Sequence, residues 1–185
     1  MDCLSDHFTI GRISVKVTSD SARLLGPVQG VLRPWNPLGH EHPFHLHLRY
    51  GSEPSGWKAD SLRLFWSGLL RGDIPSELHT NSTGRVTRVP GRAWGRLDFE
   101  RRTMEIVCRP GQEGCVYDGC LIPLLCELLA HLGHFVIHGA SLATDCQGDK
   151  AGVLLAGVSG AGKTTTSLAL AHSGMTLLAD DMSFI

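Results

Sequence analysis

Residues 151–181 read AGVLLAGVSGAGKTTTSLALAHSGMTLLADD, and this stretch decides how the chain is understood. Ala151 to Ala156 is a short unbroken apolar run, the pattern of a strand buried on both faces. Gly157 to Thr164 then matches G-x-x-x-x-G-K-[ST], the P-loop or Walker A pattern. Its glycines let the backbone wrap an anion with N–H groups turned inward. A helix is expected over Lys163 to His172, capped by Gly174, and its N-terminal end favours negative charge. Lys163 then reaches the β- and γ-phosphates, and the Thr164 hydroxyl serves Mg²⁺. The expected ATP contacts are Gly157, Ser159, Gly160, Ala161, Gly162, Lys163, Thr164 and Thr165. A glycine-rich turn without a ligand has no use for Lys-Thr after its last glycine.

Met175 to Ala179 is a second apolar strand, ending in Asp180-Asp181, where a Walker B carboxylate would join the metal shell. Two acids exceed what a metal ligand requires. One can hold the metal shell while the other accepts a proton from an attacking hydroxyl, or the second is a spectator.

Upstream, Tyr117 to His134 has helical apolar spacing, with Pro123 tolerable near a first turn or at a kink. Phe135 to Leu142 reads as a strand and Thr144 to Lys150 as a polar turn. Residues 111–185 are thus expected to form an α/β P-loop core. Residues 1–110 read as a β-rich region, α+β overall. Strands are expected within Phe8–Val17, with Ile13, Val15 and Val17 on one face, and over Phe44–Tyr50 with one wet face. Leu62–Trp66 and Arg85–Val89 are further strands, and Trp94–Phe99 with Thr103–Cys108 forms a hairpin. Gly26-Pro27 and Pro34–Gly39 read as turns, and Gly51–Ala59 and Gly72–Gly84 as loops.

With 185 residues, 42% hydrophobic and a formal net charge of -1, the chain suits a soluble globular protein with no nucleic-acid or membrane partner. The most apolar stretch, Cys120–Leu132, is too short to span a bilayer and is read as a buried helix. Six cysteines show no zinc spacing, and no signal peptide opens the sequence, so reduced thiols in a cytoplasmic setting are expected. Arg85, Arg88, Arg92, Arg96, Arg101, Arg102 and Arg109 crowd one region, read as a solvated strand face or as a docking surface for an acidic partner or a phosphorylated product.

His138-Gly139-Ala140 on a strand, the P-loop Gly157–Thr164, and Leu177-Leu-Ala-Asp-Asp181 one helix later resemble the catalytic domain of the HPr serine kinase/phosphorylase family and its HPr-kinase-related members. That family's core is distantly similar to ATP-dependent phosphoenolpyruvate carboxykinase. The resemblance covers about Cys120 to Ile185. It implies a Mg-ATP-dependent kinase that phosphorylates a serine hydroxyl of a protein or peptide. His138 would lie near the γ-phosphate, Lys163 on the phosphates, Asp180 as general base and Asp181 on the metal shell with Thr164. Family members continue with further strands, a second acidic signature loop and C-terminal helices, so a partial core with its C-terminal part missing is expected, either a truncated product or a core completed by a second copy (a homo-oligomer) or another protein.

A second reading is a nucleotide-binding regulatory or scaffold protein without phosphotransfer, with residues 1–110 as its interaction module. A motion-coupled P-loop ATPase ranks below both, since no glutamate directly follows a Walker B aspartate. His40, His42, His45 and His47 form a cluster in which His45 and His47 share one face of a strand, a spacing that metals can use, but no cysteine or carboxylate trio sits beside them apart from Glu41. Cys115 and Cys120 are placed to meet across a turn. Trp35, Trp57, Trp66 and Trp94 are read as packing the β-rich part, and Asp145 and Asp149 as members of a solvated turn.

Overall fold

The computed structural model describes residues 4–10, 13–32, 44–55, 62–70, 73–146 and 149–184. Trp35, His40, Glu41, His42 and Trp57, singled out above, lie outside the described residues, as does the turn at 34–39. The chain divides into two compact units, Met1–Leu128 and Leu129–Ile185.

The first unit is one eight-stranded mixed sheet. Its strands are β1 (Leu4–Ile10), β2 (Ile13–Ser19), β3 (Phe44–Tyr50), β4 (Arg63–Leu70), β5 (Ile74–Thr80), β6 (Gly84–Val89), β7 (Ala93–Asp98) and β8 (Thr103–Cys108). They lie in the order β1-β2-β3-β8-β7-β6-β5-β4. Neighbours are antiparallel except β2–β3 and β3–β8, which are parallel. A parallel pair needs a crossover, and helix α1 (Ala22–Leu32) supplies it between β2 and β3.

Several expectations change here. Phe8–Val17 is two strands of a hairpin, although Ile13, Val15 and Val17 do share the buried face. Gly26-Pro27 is no turn but lies inside α1. Leu24, Leu25 and Val28 form a buried stripe, and packing that stripe outweighs the one hydrogen bond that Pro27 removes. Gly72–Gly84 is not a loop, because β5 occupies most of it. Strand β4 extends beyond Trp66 to Leu70 and is exposed along nearly its whole length, Phe65 to 71%. The hairpin of β7 and β8 forms as expected.

A long helical segment covers one face of this sheet: α2 (Gly114–Val116), a π-helical turn (Tyr117–Leu121), then α3 (Ile122–His131). Pro123 lies just after the π turn, as the second residue of α3. By length and composition the segment could cross a membrane, but Cys115, Val116, Cys120, Leu121, Leu124, Leu125 and Leu128 are all buried, the π turn lying against β5, β6 and β7. Gly119 permits the close approach, since a Cβ there would overlap Val89 Cγ2. Val86 of β6, Trp94 of β7 and Val107 of β8 pack together with Leu62. Cys115 and Cys120 do not bridge; both are buried free thiols, like Cys108.

The arginine-rich stretch is held largely by internal pairs. Arg85 bonds Glu127 at 2.5 Å, and Arg88 bonds Glu53 at 2.7 Å and Glu77 at 3.3 Å. Arg102 lies over the Phe44 ring and Arg85 over Phe99. Each of these pairs keeps some contact with solvent, and pairs that do so contribute about 1 kcal/mol or less each.

The second unit is an antiparallel sheet of β9 (Val136–Cys146), β10 (Asp149–Ala156), β11 (Thr176–Ala179) and β12 (Met182–Phe184), with one helix, α4 (Lys163–His172). This corrects the expected fold class. The described structure is mostly β, with 50% strand and 24% helix, and no α/β P-loop core of the HPr kinase or carboxykinase type is evident. The physical reason is the connection before the P-loop. Only residues 147 and 148 separate β9 from β10, a hairpin that forces antiparallel pairing, whereas parallel strands need a dozen or more residues of crossover. Nor is Ala151–Ala156 buried on both faces: Val153 and Leu154 are 37% and 38% exposed. Within this unit a single ten-residue helix cannot cover both faces of the sheet.

Gly119→Ala should destabilise the first unit by about 1–3 kcal/mol through overpacking. The loss should shrink in the double variant with Val89→Ala, as read by urea denaturation. Burial pushes the Cys120 thiol up to about 12, and burial with Glu113 and Cys115 nearby pushes Cys108 up to about 11. Only thiolates alkylate readily, so at pH 8 both should resist iodoacetamide in the native protein and react once it is unfolded. Rapid native labelling of Cys120 would mean that the helix does not sit on the sheet as described.

Candidate functional site

Strand β9 is the centre of the second unit and sets the positions of the site residues. Strands β10 and β11 both run antiparallel to it, one on each side. They therefore run parallel to each other, and their carboxyl ends reach the same edge. Across β9 the register is explicit: Ala156 faces Gly139, Ala179 faces Ser141 and Met182 faces His138. The Gly139 N–H donates to the Asp181 carbonyl at 3.0 Å, and the buried Ser183 hydroxyl donates to the Gly139 carbonyl at 2.9 Å. The glycine-rich loop thus leaves β10 beside the residue whose other side is held by the paired aspartates. Adjacent strands are about 4.8 Å apart, so the loop's start and the aspartates lie roughly 10 Å apart, two strand spacings.

The loop itself is exposed and follows β10 directly. Gly160 and Gly162 have φ of 79° and 81°, the left-handed region where a Cβ is disfavoured. Gly162 is the N-cap of α4 and supplies no side-chain cap. First-turn N–H groups of a helix lack intrahelical partners, which suits them to an anion. Lys163 is folded back over the loop, its Nζ donating to the carbonyls of Gly157 at 2.9 Å and Val158 at 3.1 Å. The ammonium is therefore already aimed at the loop's centre, bound to oxygens that phosphate oxygens can replace. Thr164 and Thr165 follow on the exposed first turn, with Ser159 and Ala161 in the loop.

The two aspartates diverge. Asp180 Oδ1 accepts from Ser167 Oγ of α4 at 3.1 Å, and Ser167 Oγ also lies 3.0 Å from the Thr164 carbonyl. Asp181 Oδ1 lies 3.1 Å from His138 Nδ1, with side chains 74% and 58% exposed. All the expected site residues therefore lie toward the same end of one sheet: His138 beside Asp181, and the 157–165 segment across β9 from Asp180 and Asp181. Sequence reading passed over Ser167. Its signal was a hydroxyl three residues after Thr164 on a short helix, and it is fully buried.

The donor set suits Mg-ATP. Hydroxyl and carboxylate oxygens are hard ligands, and Mg²⁺ takes one or two carboxylates alongside phosphate oxygens and water. Among the described residues no group of three or more His, Cys, Asp or Glu is arranged to hold a metal unaided. Neither His45 nor His47 of β3 belongs to such a group. His47 instead meets Thr18 Oγ1 at 2.9 Å.

Comparison with protein-family models, with curated proteins and with solved structures finds no match.

Gly162→Ala places a Cβ in the left-handed region at a cost of roughly 1–2 kcal/mol. Gly157→Ala meets only an ordinary contact with Ala161. Thermal unfolding should therefore fall for the first variant and stay near the parent for the second; equal behaviour would mean the loop is not held in this conformation.

Proposed function

We propose that this protein binds Mg-ATP at the 157–165 loop and transfers the γ-phosphoryl group to a serine hydroxyl of a protein or peptide, acting in the cytoplasm. The observation that carries this reading is the convergence of the loop, Lys163, Thr164, His138 and the Asp180-Asp181 pair toward the same end of one sheet. The motif resemblance to HPr-kinase-related proteins supplies the serine acceptor.

The chain's own residues do most of the work by position and charge. The N–H groups of the loop and first turn of α4 orient the phosphates, and Lys163 leaves the Gly157 and Val158 carbonyls to neutralise them. Thr164 and one aspartate would hold Mg²⁺, which supplies neutralisation of charge on the β- and γ-oxygens. The acceptor oxygen forms its bond to γ-phosphorus as the bond to the β–γ bridging oxygen breaks and ADP leaves. The hydroxyl proton passes to the remaining carboxylate, beside His138 where that carboxylate is Asp181.

A second reading has an observation of its own. His138 and Asp181 are more than half exposed, and phosphoryl transfer profits from excluding water; a nucleotide-binding scaffold without transfer needs no such closure.

Saturating Mg-ATP at about 100 times Kd should stabilise the native state by roughly 2.7 kcal/mol, read as a thermal shift that Lys163→Ala abolishes. Label moving from γ-labelled ATP to serine in a protein or peptide then supports the kinase. Binding without any transfer supports the scaffold. No shift with either protein rules out both.

A further inference from the structure

We propose that Ser167 is a positioning residue that holds Asp180 as the metal-side carboxylate, leaving Asp181 with His138 on the acceptor side. This rests on the nucleotide-binding reading above and reverses the division of roles that the motif resemblance implies.

The two acids are consecutive, yet they are held by different elements. Asp180 is tied to α4, the helix whose first turn carries Lys163 and Thr164. Ser167 lies three residues after Thr164, so the two project from nearly the same face of the helix one turn apart. Its hydroxyl is within bonding reach of both the Thr164 carbonyl and the Asp180 carboxylate. It therefore fixes Asp180 relative to the residue that would offer its hydroxyl to Mg²⁺. Asp181 is fixed to β9 instead, through His138 and through its own carbonyl on Gly139. It has no contact with α4 among those that define the site.

Burial strengthens the argument. Ser167 is the one fully buried polar residue of α4, and a buried hydroxyl is costly unless it is bonded. A serine three residues from Thr164 could satisfy itself on the helix carbonyl alone. The hydroxyl has one proton and serves one of these two acceptors at a time; its place 3.1 Å from Asp180 Oδ1 gives the carboxylate at the strand end a donor that the helix itself does not need. Groups that orient a metal ligand in this way change metal affinity by about 10–100-fold when removed.

The test uses the full chain, a non-hydrolysable ATP analogue, and Mn²⁺ as a paramagnetic stand-in for Mg²⁺. Analogue affinity is measured in Mg²⁺ and in EDTA, and bound Mn²⁺ is counted by electron paramagnetic resonance. Ser167→Ala should weaken Mn²⁺ binding at least about tenfold while leaving affinity in EDTA unchanged, which also shows that the variant is folded. Ser167→Thr, which keeps the hydroxyl, should restore it. Asp180→Asn should lose the metal dependence and Asp181→Asn should keep it. The proposal is overturned if Asp181→Asn loses the metal dependence while Asp180→Asn keeps it, or if Ser167→Ala matches the parent. A parent protein that binds no analogue under either condition overturns the nucleotide reading itself, and this assignment with it.

Discussion

Strand β9 accepts partners on both sides, and the candidate site depends on that double ladder. Its eleven residues hold β10 on one flank and the interrupted strand β11–β12 on the other. Neither flank pairs with the other, so the loop and the aspartates are placed by their shared registers with β9 and by the Ser167–Asp180 contact from α4. A strand slip of one residue would turn every side chain to the opposite face. The Gly139 N–H and C=O, both bonded toward the β11–β12 flank, secure the register where it matters most.

The first unit is stabilised differently. There the ladder is long and mixed, and one helical segment closes a face by approaching the sheet closely at Gly119. The buried thiols of Cys108, Cys115 and Cys120 act as small apolar groups in that core. Ion pairs such as Arg85–Glu127, which joins β6 to α3, and Arg88–Glu53 neutralise part of the crowded arginine charge within the unit. The second unit has far less to enclose its apolar residues, and Val158, Leu168 and Leu178 are well exposed.

What was legible in the sequence followed from local chemistry. Alternation revealed β3, and β6 and the β7–β8 hairpin were also read as strands. The glycine-Lys-Thr pattern located the loop and α4, and the apolar run before Asp180 located β11. What was not legible depended on partners distant in sequence. Helix α1 hid behind Gly26-Pro27, because only its burial reveals that packing overcomes the proline. Strand β5, with Pro75 and a polar composition, reads as a loop until its pairing with β4 and β6 is seen. The P-loop pattern suggested a parallel α/β core, since that is its usual setting, whereas the short β9–β10 connection dictates an antiparallel sheet. Ser167 gave little sign because a serine in a Thr-Thr-Thr-Ser run is ordinary until its carboxylate partner is known.

The break that holds the two aspartates has a length, and that length carries a rule about insertions. Ala179 faces Ser141 and Met182 faces His138, so the register is the same before and after the break. Two intervening residues preserve the alternation of faces, whereas one or three would invert it. Strand β12 would then present Ser183 away from the Gly139 carbonyl it now satisfies. The segment is therefore closed to single insertions and deletions, and a chain that shares this sheet and this site should keep both the two acids and their spacing.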